Sequence, residues 1–303
     1  MTHLELLNVI LTWRFRQPGW PRVLVDCDYL VHGVGVGLAL GSGKRRAVPD
    51  VLASCSARER TLLVEVKSGR NVEAEQLERM LLVTPADLRD LNHLSVNDVD
   101  PHRVIILYAC NEADADNMAA ALVGTPAAVV GFDGRRYRLR GSIEDRVLEQ
   151  ALAVAEVAEN AIPASIVPFD HESEFAAIAR VVVPEVVAAL VRGAGSISAD
   201  GILHATHKLV YDVMRPTGAK SELAQLRDRV SQLVNDASRN EFKDWLERPG
   251  SDPSWRFKKA LTSDPAGKTR ELKALLKALQ ALLERLGSPE PDKVQLALFD
   301  DEV

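Results

Sequence analysis

The chain changes its hydrophobic period once, near residue 142, and that change limits the folds open to it. Before it, short apolar runs alternate with helical ones. Leu4, Leu7 and Leu11 recur at helical spacing, and Pro18-Gly19 closes that helix. Strand-like runs follow at 22–31, 33–40, 48–53 and 61–67, then helical stretches at 72–83 and 86–94. A strand at 104–109, a helix at 112–123, a strand at 127–132 and an Arg-rich hairpin arm at 135–140 complete an α/β pattern. Beyond residue 142 the helical period takes over, at 143–160, 174–191, 199–213, 220–234 and 268–286, with an irregular stretch around Trp245 and Trp255. The expected organisation is an α/β domain over 1–142, a helix and Pro-containing linker over 143–168, a mainly helical domain over 169–286, and a tail over 287–303 that opens with Gly287-Ser288-Pro289.

With 47% hydrophobic and 26% charged residues in 303, the chain has the mix of a globular protein and can bury a core without disulfides. Its three cysteines, Cys27, Cys55 and Cys110, form no CxxC pair, which argues against a disulfide scaffold or a zinc knot and fits a reducing compartment. Glu5 interrupts the first apolar run and no basic segment precedes it, so a signal peptide is not expected. Pro184 and Glu185 break the longest later aliphatic run, so no membrane span is expected and the location is read as cytoplasmic. The net charge of −6 is uneven. Residues 207–285 carry 16 basic against 11 acidic side chains, net +5. A uniformly basic nucleic-acid binder is excluded, and a locally basic region is not.

In the second strand-like run, Val34, Val36, Leu38 and Leu40 alternate with Gly33, Gly35, Gly37 and Ala39. Small residues on one face imply close approach by backbone or ligand. A dinucleotide fingerprint fails, because Leu38 stands where the third glycine is needed and no helix follows. Gly41-Ser42-Gly43-Lys44 fails as a phosphate loop, with Arg45 in place of the Mg²⁺-holding Ser or Thr. A hairpin with a basic tip, Lys44, Arg45 and Arg46, is the better account.

The informative segment is Pro49-Asp50, followed by Glu65-Val66-Lys67 and Ser68-Gly69. In a strand, Glu65 and Lys67 share a face, while Val64 and Val66 take the other. Asp50 lies on the preceding strand, so two carboxylates and an ammonium converge at one edge of a sheet. Two carboxylates suit Mg²⁺, which keeps several waters and adds phosphate oxygens. A lysine beside that metal sheds its proton more easily and orients or deprotonates the attacking water.

This pattern resembles the PD-(D/E)xK nuclease superfamily over roughly residues 1–140. The resemblance implies a restriction-endonuclease-like α/β core, a mixed sheet flanked by helices. It implies Asp50, Glu65 and the Val66 carbonyl as ligands of Mg²⁺ or Mn²⁺ and Lys67 as the group that positions water. It adds Glu5 on the first helix and Gln76 on the helix after the lysine as accessory residues, and it likens the basic loop before Pro49 to that of junction resolvases and Mrr-type enzymes. The activity implied is DNA hydrolysis that leaves 5′-phosphate and 3′-hydroxyl ends, in repair or in defence against foreign DNA. The competing expectation is a non-catalytic DNA-binding or adaptor protein on the same scaffold. Glu271-Leu272-Lys273 also spells E-x-K, but on a helix those two side chains diverge.

The helical region has helix–turn–helix-like spacing, with Arg227 and Arg229 on one helix and a wing-like segment bearing Trp245, Trp255, Lys258 and Lys259. It reads either as a winged-helix-like DNA-binding domain or as a plain bundle whose tryptophans are core. His204 and His207 are three apart, and partly buried structural histidines are the expectation there. In the tail, Gln295, Leu296, Leu298 and Phe299 resemble the bacterial sliding-clamp-binding pentapeptide, with Ala297 in the middle place. The expected partners are DNA, a bacterial clamp and a second copy of the chain, in the nucleoid region of the cytoplasm, with no membrane.

Overall fold

The computed structural model describes residues 1–41, 43, 45–92, 94, 103–214, 222–250 and 253–287. The chain divides into two compact units, Met1–Val167 with Leu209–Leu223, and Pro168–Lys208 with Ala224–Val303.

The first unit is built on a mixed sheet. Helix α1 (His3–Thr12) starts with a capping box between Thr2 and Glu5. A short helix α2 (Val23–Asp26) precedes β1 (Leu30–Val34), β2 (Leu38–Leu40), β3 (Arg45–Ala47), β4 (Val51–Cys55) and β5 (Arg60–Lys67). Then come α3 (Ala74–Leu81), a π-helical turn (Asp87–Leu91), β6 (Arg103–Asn111), α4 (Glu112–Ala121), β7 (Ala128–Phe132), β8 (Tyr137–Arg140) and α5 (Arg146–Val154). Six strands pair in the order β1-β4-β5-β6-β7-β8. The centre β5-β6-β7 is parallel, joined by crossovers through α3 and α4, and the outer pairs are antiparallel. One face of the sheet carries Leu52, Leu63, Ile106, Tyr108 and Val129 under Met80 of α3 and Met118 of α4. β2 and β3 pair separately, and their Leu38, Leu40 and Ala47 join the same apolar layer.

Two early runs depart from their expected form. Residues 22–31 give a four-residue helix before β1, because Leu24 and Val25 donate to the Trp13 carbonyl and turn the chain where β-branched residues suggested a strand. Residues 33–40 split at Gly35, whose φ of +59° breaks the run into β1 and β2. The close approach implied by the small residues there is to backbone of this chain: a Cβ on Gly35 would come 2.6 Å from that of Glu222, whose N–H donates to the Gly35 carbonyl. Residues 143–160 form only α5, capped by Asp145, and the chain then runs extended. That extended stretch is tied to the first unit: Val157 N donates to Arg135 O, Ala158 N to Gly19 O, and Ile166 and Val167 N both donate to buried Asn8 Oδ1.

The second unit runs α6 (Phe175–Val191), β9 (Ser196–Ser198), α7 (Ala199–Thr206), α8 (Glu222–Arg239, whose first two residues belong to the first unit), β10 (Leu246–Glu247), β11 (Ser254–Phe257) and α9 (Pro265–Arg285). Its small antiparallel sheet has the order β10-β11-β9. The helix expected at 199–213 stops at Thr206, and Tyr211–Met214 is a separate 3₁₀ turn. His207 terminates α7: it is 0% exposed, with one ring nitrogen 3.0 Å from Phe169 O and the other 2.9 Å from Thr206 Oγ1. Trp245 and Trp255 are core side chains, and Trp255 Nε1 donates to Asn235 Oδ1. Among the described residues no helix is long and apolar enough to cross a membrane.

Candidate active site

Strand β5 outruns its neighbour, and the site lies in the gap. β4 pairs with β5 only as far as Val51↔Val64, whereas β6 continues beside Glu65, Val66 and Lys67. On the vacated edge the Asp50 carboxylate takes the place of a strand, with Val66 N–H donating to Oδ2 at 2.6 Å. The N–H and C=O of one strand residue point to the same edge, so the Val66 carbonyl faces Asp50 too. Gly35 N donates to the Asp50 carbonyl at 2.9 Å and fixes the aspartate's backbone. Face follows from register. Leu52 opposes Leu63; Asp50 lies two residues before the first and Glu65 two after the second, so both share their side of the sheet.

Glu65 is 5% exposed. Its Oε1 lies 3.0 Å from Lys67 Nζ, and Oε2 lies 3.4 Å from Gln76 Nε2. Gln76 is anchored by a 2.7 Å bond to the Val48 carbonyl, and Lys67 also donates to Glu73 at 2.6 Å. On the far side of Asp50, His3 Nε2 comes within 3.4 Å of Oδ1. Burial, and then the charge of Asp50, push the Glu65 carboxyl up to about 7, against the lowering pull of Lys67 and Gln76. Burial also works against the Lys67 ammonium, but its bonds to Glu73 and Glu65 outweigh that and hold its pKa above the ordinary lysine value. That direction belongs to Lys67 held between Glu65 and Glu73. Lys67 donates to both acids, at 3.0 Å to Glu65 and 2.6 Å to Glu73.

The donor set fits a hard divalent cation. Two carboxylates and a carbonyl on the same edge offer oxygens only, which suits Mg²⁺ or Mn²⁺ and leaves positions for water and phosphate. Among the described residues no group of three or more His, Cys, Asp and Glu is arranged to hold a metal.

The structure brings together Asp50, Glu65, Val66, Lys67 and Gln76. Glu5 is exposed and turned back to Thr2 N at 2.7 Å, because the third position of a helix is where a glutamate closes a capping box. Its helix delivers His3 instead. Of the basic loop, Arg45 is exposed, Arg46 is half-buried, and Lys44 lies outside the described residues. In the second unit Arg227 Nε donates to Asp200 at 2.6 Å. Arg229 donates to the Ser173 carbonyl and stacks 3.9 Å over Phe175, so that guanidinium is built into the fold. Lys259 sits 3.9 Å over Trp245, and Lys258 is exposed. Gln295, Leu296, Leu298 and Phe299 lie outside the described residues. Sequence reasoning missed His3 and Glu73. Glu73 had a signal, an acid just past the turn after Lys67; His3 had none, since its reach depends on where α1 packs.

Residues 2–110 match the family model described as the MJECL32 domain, a span that begins just before α1, ends one residue before the end of β6 and contains every residue of the site. The chain matches no curated protein and no solved structure.

Proposed function

We propose that the chain is a Mg²⁺- or Mn²⁺-dependent DNA endonuclease whose centre is Asp50, Glu65 and Lys67, on a PD-(D/E)xK-like core. The observation that carries this reading is the gap beyond β4, where two carboxylates, a carbonyl and a fixed ammonium meet. A bound divalent ion supplies charge stabilisation for a phosphodiester and a water acidic enough to attack it. The chain's own work is positional. Asp50, locked by Val66 N–H and Gly35 N, and Glu65, steadied by Gln76, present oxygens on one edge. Lys67 lies beside them, where it positions the attacking water for in-line displacement of the 3′ oxygen.

The second unit supports a DNA-holding role. Its order of helix, strand, two helices and two strands, with the first strand paired to the last, is that of a winged helix. The outward residues of α8, Gln225, Asp228, Gln232 and Arg239, sum to no net charge, whereas exposed Arg248, Arg256, Lys258 and Lys259 lie on or beside the β10–β11 hairpin. Contact with phosphates is therefore assigned to the hairpin rather than to Arg227 and Arg229. Recruitment by a sliding clamp through Gln295, Leu296, Leu298 and Phe299 rests on sequence alone; a peptide of residues 289–303 that fails to bind clamp removes it.

The purified chain is to be incubated with supercoiled, linear and branched DNA and Mn²⁺. Cleavage that disappears in Asp50→Ala and Lys67→Ala is expected. Variants that cut as well as wild type show the site to be misassigned, and DNA binding without cleavage by the wild type favours the adaptor reading.

A further inference from the structure

Tyr108 is a polar side chain in a place where the fold gives it nothing to do. It stands on β6 directly beside Glu65 in the parallel register, so both side chains project from the same face of the sheet. It is 0% exposed, packed in the layer with Leu63 and Met80, and its hydroxyl has no hydrogen-bond partner among the described residues. A buried phenol without a partner costs on the order of 1–3 kcal/mol, and phenylalanine would fill the same volume without that penalty. The charges that act on the phenol are those of Glu65, Glu73 and Asp50, in that order after burial, and all of them raise its pKa. The hydroxyl therefore lies within the field of the carboxylate cluster and stays a protonated donor.

The present occupants of Glu65 explain why the hydroxyl is left over. Glu65 Oε1 is engaged by Lys67 and Oε2 by Gln76, the latter at the long end of hydrogen-bond range. A divalent ion held by Asp50 and Glu65 would sit on the β4 side of β5 and compete with Lys67 and Gln76 for the Glu65 carboxylate, so that a donor on the opposite, β6 side would be the one left to orient it. We propose that Tyr108 is a positioning residue for the metal-loaded site: its O–H donates to the Glu65 carboxylate when Glu65 ligates a divalent cation, and is unpaired when Lys67 holds that carboxylate. This rests on the nuclease reading and adds a residue that the Pro49-Asp50, Glu65-Val66-Lys67 pattern does not include. No proton is transferred, since the hydrogen bond only fixes the orientation of a ligand, as partners behind metal ligands do.

The test compares wild type and Tyr108→Phe as full chains in thermal unfolding, first without metal and then across a Mn²⁺ titration. The phenylalanine variant is expected to be as stable as wild type or more so without metal, and to need about 10-fold more Mn²⁺ for the same stabilisation. A pure packing role cannot move those two readouts in opposite directions. A metal-free variant less stable than wild type would mean that the hydroxyl is already bonded, and it overturns the proposal. An unchanged Mn²⁺ dependence overturns it as well while leaving the nuclease reading intact. Wild type that shows no response to Mn²⁺ removes both.

Discussion

His207 and Glu65 are both buried ionisable side chains, one in each unit, and they live under opposite conditions. His207 is sealed among apolar residues with both ring nitrogens engaged, packed edge-on 4.6 Å from the Phe169 ring. Glu65 has two bonds as well, yet it faces a second carboxylate whose charge works against its ionisation. Satisfied burial is what a fold needs from a polar residue; opposed burial is what a ligand-binding site needs, because the ligand supplies the missing charge. Lys67 is likewise held between two acids, Glu65 and Glu73, beside the gap beyond β4.

The largest expected effect lies on the structural side. His207→Ala leaves the Phe169 carbonyl unpaired and opens a cavity, so stability should fall by about 2–4 kcal/mol in denaturant unfolding, with the Mn²⁺ response per folded molecule unchanged. A stable His207→Ala would break the comparison, since it would make that histidine dispensable to the fold.

Glu65 should behave in the reverse sense. Its folded pKa of about 7 lies above the ordinary 4.5, so its contribution to stability is complete below pH 4.5 and is lost as pH rises through about 7. Metal-free Glu65→Gln should therefore exceed wild type at pH 8 by about 2–3 kcal/mol and match it near pH 4. A Glu65→Gln variant less stable at both pH values would place Glu65 with the structural residues.

Glu112 offers the smallest effect and an ordinary ion pair for scale. Its hydrogen bond to Arg140, against a modest burial penalty, holds its pKa below the ordinary carboxylate value, with Arg138 adding to the effect. That stability is present above pH 4.5 and is lost as pH falls through the lower folded value. Glu112→Gln should cost under about 1 kcal/mol at pH 7 and flatten the acid limb of a stability profile. A cost as large as that of His207→Ala would show the β7–β8 edge to depend on this pair.

What was legible in the sequence follows the same division. The run Thr61–Lys67 and the Pro49-Asp50 before it announce the site because spacing two on a strand and pairing of neighbouring strands are local rules. The small residues at 33–39 announce close approach, and Gly35 meets Glu222, almost two hundred residues on, which no local rule could name. The capping box of α1 is written in Thr2 and Glu5 and turns Glu5 back to Thr2, whereas the reach of His3 to Asp50 depends on where α1 packs. Strand β9 is three residues long and exists only because β11 pairs with it, so periodicity had nothing to detect. The interleaved tryptophans and cations of the second unit left a nucleic-acid surface and a bundle with core tryptophans both open, and tertiary packing places the rings in the core.

The central claim is that Asp50 and Glu65 form one divalent-cation site, and Mn²⁺ binding at pH 8 in the absence of DNA tests it most directly. A titration followed by the paramagnetic signal of free Mn²⁺ should show one ion bound per wild-type chain, with affinity lowered at least about 10-fold in both Asp50→Asn and Glu65→Gln. Wild-type affinity in both variants, with their folding intact, would contradict the account.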